Sequence, residues 1–452
     1  MTHDEALDWW FAHANYEQRA PAPGDLKLGR MRALLARLGQ PQKRLRVVHV
    51  AGSKGKGSTS AMLAAVLRES GYRVGLFTSP HLTRLEERFQ VDGAPITPAE
   101  LTQLLVEVRA AARATPTFFE IATAVGFLHF VRRRVDAAVL EVGLGGRLDS
   151  TNVCHPAICV ITSISFDHTR ILGDRLALIA REKAGIIKPG RPVISGAVAP
   201  EARAVIEQVC RERHAPLAEL GRDFRHWATP GRVSRTEFVR PRVRVVTTHR
   251  AWPEFELNLL GEHQAANAAV AVACVERLNA LGWHVPDEAV ARGLAGVRWP
   301  ARMEVMSRAP MVVLDCAHNV ASAEALVETL AQSFPAGRRT LVFAGSGDKD
   351  IAGMFRVLGP HFSRAVLTQY AINTRAVPAD QLRALWVATC SAPAEACPDA
   401  AEALGRALRP ARPEDLVCVT GSVFLAGEAR PLLARLPDGD FSASETSGPA
   451  VG

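Results

Sequence analysis

Short runs of Val, Ile, Leu and Ala recur through the first 200 residues, and stretches of strong helix formers lie between them. Leu45-Arg-Val-Val-His-Val-Ala51 and Ala137-Ala-Val-Leu-Glu141 show no strict apolar/polar alternation, the pattern of strands buried on both faces. The pattern predicts strands at 45–51, 73–78, 136–142, 157–162 and 192–195, and strands that alternate with helices predict a parallel sheet flanked by helices. Near 232–260 it changes to short β-rich pieces broken by Pro230, Gly231, Pro241 and Pro253, which predicts a small antiparallel excursion. A helix is expected from about Glu262 through Ala273, and Gly296-Val-Arg-Trp-Pro-Ala301 has the composition of a domain boundary. After about residue 303 a second alternation begins, with strands at 311–315, 340–345, 365–368 and 416–420. The expected fold is α/β: an N-terminal domain over 1–298 and a smaller Rossmann-like α/β domain over 303–436. Gly, Ser, Pro and acidic residues dominate from Pro437, so 437–452 is expected to be a disordered tail.

The first strand leads into Gly52-Ser-Lys-Gly-Lys-Gly-Ser-Thr59, and the helix formers Ala61-Met-Leu-Ala-Ala-Val-Leu67 follow. Strand, glycine-rich turn and helix make a phosphate cradle. The glycines let backbone approach polyphosphate oxygens, the helix N-terminus offers unpaired N–H groups, Lys56 a cation and Ser58 a hydroxyl for Mg²⁺. The N-terminal domain is therefore expected to be of P-loop type, although Gly57 intervenes between Lys56 and Ser58, unlike the commonest spacing. A flexible Gly/Ser/Lys connector is the competing reading, and the strand and helix flanks argue against it.

At 452 residues the chain exceeds what one core usually supports, and 48% apolar with 22% charged residues is ordinary for a globular protein. The formal net charge of +8 suits anionic ligands, but the arginines are scattered without interleaved aromatics, which disfavours a nucleic-acid partner. A solvated arginine-rich surface accounts for the charge equally well. The eight cysteines form no Cys-x-x-Cys pair, so neither a zinc site nor a disulfide framework is indicated. The N-terminus has no apolar segment of signal length and no stretch is long enough to span a bilayer, so the cytoplasm and no membrane partner are expected.

Candidate chemistry gathers where the N-terminal strands end. Glu141 closes one apolar run and Asp167-His168 follows another. In an open parallel sheet the ligand crevice lies beyond the carboxyl ends of the strands, so Ser58, Ser79, Glu141 and His168 can converge there. Hydroxyl, carboxylate and nucleotide oxygens suit Mg²⁺, and an imidazole is compatible with a second divalent site. An ion pair of Glu141 with Arg147, and a hydrogen-bonded loop or core role for His168, are the competing readings.

Several motifs match one family together: Ala51-Gly-Ser-Lys-Gly-Lys-Gly-Ser58, Thr78-Ser-Pro-His-Leu82, Phe118-Phe-Glu120, Leu140-Glu-Val-Gly-Leu-Gly-Gly-Arg-Leu-Asp149, Asp167-His-Thr169, Arg181-Glu-Lys-Ala-Gly-Ile186 and Asp315-Cys-Ala-His-Asn319. From about residue 25 to about residue 425 the chain resembles the folylpolyglutamate synthase and dihydrofolate synthase family of Mur-type ligases. The resemblance implies ATP-dependent amide synthesis. ATP would phosphorylate the carboxylate of a folate or of dihydropteroate, and the amino group of L-glutamate would displace the phosphate. It implies Lys56, Glu141, His168 and Lys183 as the catalytic set. Ser58, Ser79 and Glu141 would hold one Mg²⁺, and His168, Glu141 and a carbamylated Lys183 a second. Gly55, Lys56, Gly57, Ser58, Thr59, Asn267, Arg302 and Asp315 would contact nucleotide. On the pterin side the implied segments are Leu26–Arg30, Phe118, Phe119, Glu120, Leu148, Asp149 and Ser150, while His318 and Ser422 would orient glutamate.

The chain departs from the family at three places. It has Ser53-Lys54 where many members have Thr-Asn, which offers a further cation near phosphate. Pro300-Ala-Arg302 replaces Pro-Gly-Arg and restricts the boundary, and Leu26-Lys-Leu-Gly-Arg30 replaces Leu-Gly-Leu-x-Arg, which favours folate over dihydropteroate as acceptor. Another Mur-type amino-acid ligase and a nucleotide-binding regulatory protein without hydrolysis are the alternatives. A monomer is expected, because no segment has an apolar coiled-coil seam.

Overall fold

The computed structural model describes residues 1–17, 22, 24–335 and 337–436; the expected tail at 437–452 lies outside them. Two compact units emerge, Met1–Gly231 with Arg240–Trp299, and Arg232–Val239 with Pro300–Gly452.

The first unit is built on eight strands: β1 Val47–Ala51, β2 Val74–Phe77, β3 Phe89–Val91, β4 Ala94–Pro95, β5 Ala137–Glu141, β6 Ile158–Ile161, β7 Val193–Ser195 and β8 Leu217–Glu219. Their order is β4-β3-β2-β5-β1-β6-β7-β8, parallel from β2 to β8, with β3 and β4 added antiparallel at one edge. Successive side chains of a strand point to opposite faces. Accordingly Val48, Val50, Val139 and Val160 enter one core, while Val47, Ala138 and Leu140 enter another across the sheet. This two-sided burial is why the runs lack alternation.

On the first face lie the helices Lys56–Glu69 and Glu262–Ala280. The second is rich in alanine, and its buried Ala265, Ala268, Ala269 and Ala271 let it pack closely. It also supports a three-stranded antiparallel sheet of β9 Phe224–Thr229, β12 Arg242–Thr247 and β13 Phe255–Glu256, in the order β13-β12-β9. The intervening hairpin, β10 Arg232–Val233 and β11 Phe238–Val239, groups with the second unit.

The second unit carries six strands, β14 Glu304–Arg308, β15 Met311–Leu314, β16 Arg339–Phe343, β17 Arg364–Leu367, β18 Ala394–Ala396 and β19 Leu416–Thr420. They lie in the order β14-β15-β19-β16-β17-β18, all parallel except β14. The expected α/β class, parallel sheet, antiparallel excursion and Rossmann-like second sheet are all present. No described helix is long and apolar enough to cross a membrane.

Candidate active site

The chain leaves β1 towards β2 on one side and leaves the adjacent β6 towards β7 on the other. Connections that diverge from neighbouring strands open a crevice at their carboxyl ends. The glycine turn after β1 lies at this point, and the helix starting at Lys56 follows it with Gly55 as N-cap. Gly55 has φ +80°, and a Cβ there would lie 2.1 Å from Asn267 Oδ1, so the position demands glycine and Asn267 closes against the turn. Gly52 is equally constrained, with φ +151° and Thr162 Oγ1 in the place of a side chain.

Two lysines meet at Gly52. Lys56 Nζ donates to its carbonyl at 3.2 Å and Lys183 Nζ at 2.9 Å. Lys183 is buried in the last turn of the helix Leu176–Ala184, and burial first, then the Lys56 charge, pushes its amine down to about 7. Glu141, last residue of β5 and paired in register with Val50, is buried, and its Oε2 accepts from Ser79 N at 3.2 Å. The competing ion pair to Arg147 does not form, because Arg147 binds Glu182 at 2.8 Å. His168 is exposed and takes φ +50° ahead of the turn Thr169–Leu172. The donors at this rim are hydroxyls and a carboxylate, hard oxygen ligands that fit Mg²⁺ together with nucleotide phosphate. Beside the buried Ser58, Thr59 Oγ1 and Ser60 Oγ are buried without a hydrogen-bond partner among the described residues. No three His, Cys, Asp or Glu side chains form a metal cluster among those residues, so a metal bound here would need hydroxyl or phosphate oxygens as well.

Some expectations are corrected. Lys54, expected as an extra cation near phosphate, donates through Nζ to Asp167 Oδ2 at 2.8 Å, and its charge also acts on Lys183. Phe118 is 1% exposed and stacks on Trp10 with ring centroids 4.8 Å apart, so it is core and not a platform for a ligand ring. Phe119 is half-buried and covers Gly143, where a Cβ would come 2.5 Å from the ring. Asp149 is buried inside its own loop: Oδ2 accepts from Gly143 N and Leu144 N, and Oδ1 from Thr151 N. Leu148 and Ser150 flank it half-buried. Glu120 closes the capping box of helix Phe118–Arg132 and accepts from Arg30 Nε at 3.2 Å, which joins two of the predicted segments. Asn267 bonds within its helix, to Gln264 Oε1 at 3.1 Å.

In the second unit the strand ends gather another set. Asp315 follows β15 and accepts from Met303 N at 3.0 Å and Ala317 N at 2.7 Å. Arg302 donates to Ala301 O at 3.0 Å and touches Cys316 Sγ. Ala301 and Met303 on either side take φ +54° and +50°, so alanine adopts the glycine-type conformation at this boundary. His318 Nδ1 lies 2.9 Å from Cys316 O, and Ser422 caps the helix Val423–Leu433. Sequence reasoning missed Tyr370, whose hydroxyl lies 2.5 Å from Ser346 Oγ, and Lys349, whose side chain is only 13% exposed. Gly345-Ser-Gly-Asp-Lys349 after β16, a second glycine turn with a lysine, was the available signal.

Mur ligase middle domain matches residues 50–275, and Mur ligase, glutamate ligase domain matches 301–423. Fold and matches together define an ATP-dependent ligase of the Mur type. The dihydrofolate synthase/folylpolyglutamate synthase of Bacillus subtilis is 40% identical over 343 residues, covering 73% of this chain and 78% of that protein. The folylpolyglutamate synthase of Lacticaseibacillus casei is 35% identical over 428 residues, 89% of this chain and 94% of the relative. The structure of E. coli FolC in complex with DHPP and ADP has a TM-score of 0.83 at 31% identity, covering 95% of this chain and 97% of that one. The chain belongs to the folylpolyglutamate synthase and dihydrofolate synthase family.

Proposed function

We propose that this chain joins L-glutamate to the carboxylate of a folate, with dihydropteroate as a second acceptor. The γ-phosphoryl group of ATP passes to a carboxylate oxygen, leaving ADP and an acyl phosphate. The glutamate ammonium gives up one proton to solvent, the resulting amine attacks the acyl carbon, phosphate departs, and the nitrogen sheds a second proton to leave the amide N–H. Phosphoryl transfer needs positioning and neutralised charge more than a side-chain nucleophile, and Lys56 with the turn amides supplies both. Ser58, Ser79 and Glu141 would hold one Mg²⁺, and Glu141, His168 and the carbamate of Lys183 a second; when bound, Mg²⁺ neutralises phosphate charge. Lys183 becomes an anionic ligand when its neutral amine adds to CO₂ and loses a proton. Asn267, Arg302 and Asp315 contact nucleotide, Phe119, Leu148 and Ser150 face the pterin, and His318 and Ser422 orient glutamate.

The observation that carries this proposal is the meeting of Lys56 and Lys183 on one carbonyl at the strand-end rim where Glu141 meets Ser79. Purified protein assayed in parallel with tetrahydrofolate, dihydropteroate and a cell-wall precursor, each with and without L-glutamate, tests it through phosphate release. Release that requires both a folate-type acceptor and glutamate is expected; release with the cell-wall precursor alone would assign another Mur-type ligase. A cytoplasmic monomer is the proposed state, checked by fractionation and light scattering.

A further inference from the structure

Two segments leave the adjacent strands β1 and β6, paired in register as far as Ala51 and Ile161, and are stitched together immediately beyond them. Ser53 N donates to Ser163 O at 2.6 Å, Ser53 Oγ to Ser165 O at 2.9 Å, and Ser165 N returns a bond to Ser53 Oγ at 3.0 Å. The backbone of Lys54 is fixed at both ends: its N–H donates to Ser163 Oγ at 3.2 Å, and its carbonyl accepts from Thr162 Oγ1 at 2.5 Å and Ser163 Oγ at 3.2 Å. From that fixed base the side chain reaches Asp167 Oδ2 at 2.8 Å, where the Asp167 side chain is 8% exposed. The other carboxylate oxygen, Oδ1, accepts from His168 N at 3.1 Å and lies 3.9 Å from His168 Nε2. His168 holds a left-handed φ of +50°, uncommon for a non-glycine residue although histidine adopts it more readily than most.

We infer that Lys54 is a positioning residue: its ammonium pins Asp167, and through Asp167 it fixes His168 at the rim, while Lys56 serves phosphate. The two lysines of the glycine turn thus have separate tasks, set by where their backbones are held. Asp167 also acts on the Lys183 charge, but Lys54 is the cation in direct hydrogen-bond contact with this little-exposed carboxylate, so loss of Lys54 is expected to loosen the segment that bears His168. The role given to His168 rests on the function proposed above; the Lys54–Asp167 clasp does not.

The test compares Lys54→Met, Lys54→Gln and Lys54→Arg in the full chain. ADP affinity is measured by calorimetry without turnover, amide exchange is followed over residues 163–172, and kcat and KM for ATP come from ADP formation. Lys54→Met is expected to leave the ADP Kd within about 3-fold, speed exchange in that segment at least about 10-fold, and lower kcat 10- to 100-fold with KM within about 3-fold. Lys54→Arg, which keeps the charge, should restore exchange protection and part of kcat, and Lys54→Gln decides the outcome should the methionine variant not fold. An ADP Kd weakened 10-fold or more with unchanged exchange would place Lys54 on phosphate and overturn the inference, as would unchanged exchange and kcat together. If the unaltered protein forms no ADP with folate and glutamate, the proposed function fails, while affinity and exchange still decide the clasp.

Discussion

Lys183 and Lys56 share one acceptor, the carbonyl oxygen of Gly52, at 2.9 and 3.2 Å. Two amines at one oxygen repel when both are charged, and one of them is buried. Burial first and Lys56 second bring Lys183 down to about 7, so a large share of its amines is neutral at neutral pH. Only the neutral amine attacks CO₂, so carbamate should decline as pH falls below about 7. Activity is expected to drop in CO₂-free buffer and return with bicarbonate, and labelled bicarbonate should give a carbamate carbon signal that Lys183→Met lacks. Activity indifferent to CO₂, with no such signal, would count against the modification.

The same lysine carries a stability cost. Its folded pKa is depressed from 10.5 to about 7, so the penalty sets in as pH falls through 10.5 and is complete below about 7. At about 1.4 kcal/mol per pKa unit this amounts to a few kcal/mol. Lys183→Met should therefore abolish turnover yet raise Tm at pH 7. A lower Tm would mean that the amine supports the fold.

Glu141 is held by Ser79 N at 3.2 Å, and Arg147 is committed to Glu182. Glu141→Gln preserves an acceptor oxygen and removes the charge. Tm should change little, kcat should fall by roughly 100-fold or more, and the Mg²⁺ concentration for half-maximal rate should rise. A variant that loses its fold instead would make Glu141 a structural residue.

Strands β1, β5 and β6 were legible because burial on both faces leaves nearly continuous apolar runs, broken only by His49 and closed by Glu141. The two-residue β4 and the edge strands β14 and β18 were not; β4 is exposed, and β14 and β18 keep half-buried positions and polar residues. Glu141 and Ser79 could be brought to one rim because each ends or follows a recognisable strand. The Lys54–Asp167 pair, 113 positions apart, and the His49–Thr151 bond, 102 apart, depend on the strand order β5-β1-β6, which local periodicity does not encode. Phe118 and Phe119 are identical neighbours in the sequence. The Thr117 capping box fixes where their helix starts, and with it which ring turns inward.

That separation of the two rings can be measured. Phe118 is core against Trp10, so Phe118→Ala should destabilise by about 3–5 kcal/mol. Phe119 is half-buried over Gly143, so Phe119→Ala should cost about 1 kcal/mol in urea unfolding and raise the KM for the pterin substrate with ATP KM unchanged. Equal stability losses, or an unaltered pterin KM, would contradict the assignment of Phe119.

His49 lies at the head of a buried polar chain that ends in the loop after Glu141. Its Nε2 lies 2.9 Å from Thr151 Oγ1, Thr151 Oγ1 donates to Asp149 Oδ1 at 2.5 Å, and Asp149 Oδ2 accepts from Gly143 N and Leu144 N. Because Thr151 gives its proton to Asp149, His49 must donate through Nε2, which leaves Nδ1 as acceptor for the Cys154 thiol at 3.6 Å. Burial first, and the Lys188 charge second, push His49 down to about 3, so it is neutral in the folded protein at ordinary pH. The unfolded chain takes up this proton near 6.5, so stability is intact above 6.5 and is lost as pH falls towards 3, at about 1.4 kcal/mol per pH unit. His81 at about 3 and His129 at about 4 add slopes of the same sign. His49→Gln should lower stability at pH 7 through its lost bonds, yet flatten the dependence between pH 6 and 4.5 by about 1.4 kcal/mol per unit in urea unfolding. An unchanged slope would show that His49 is protonated, or solvated, in the native protein.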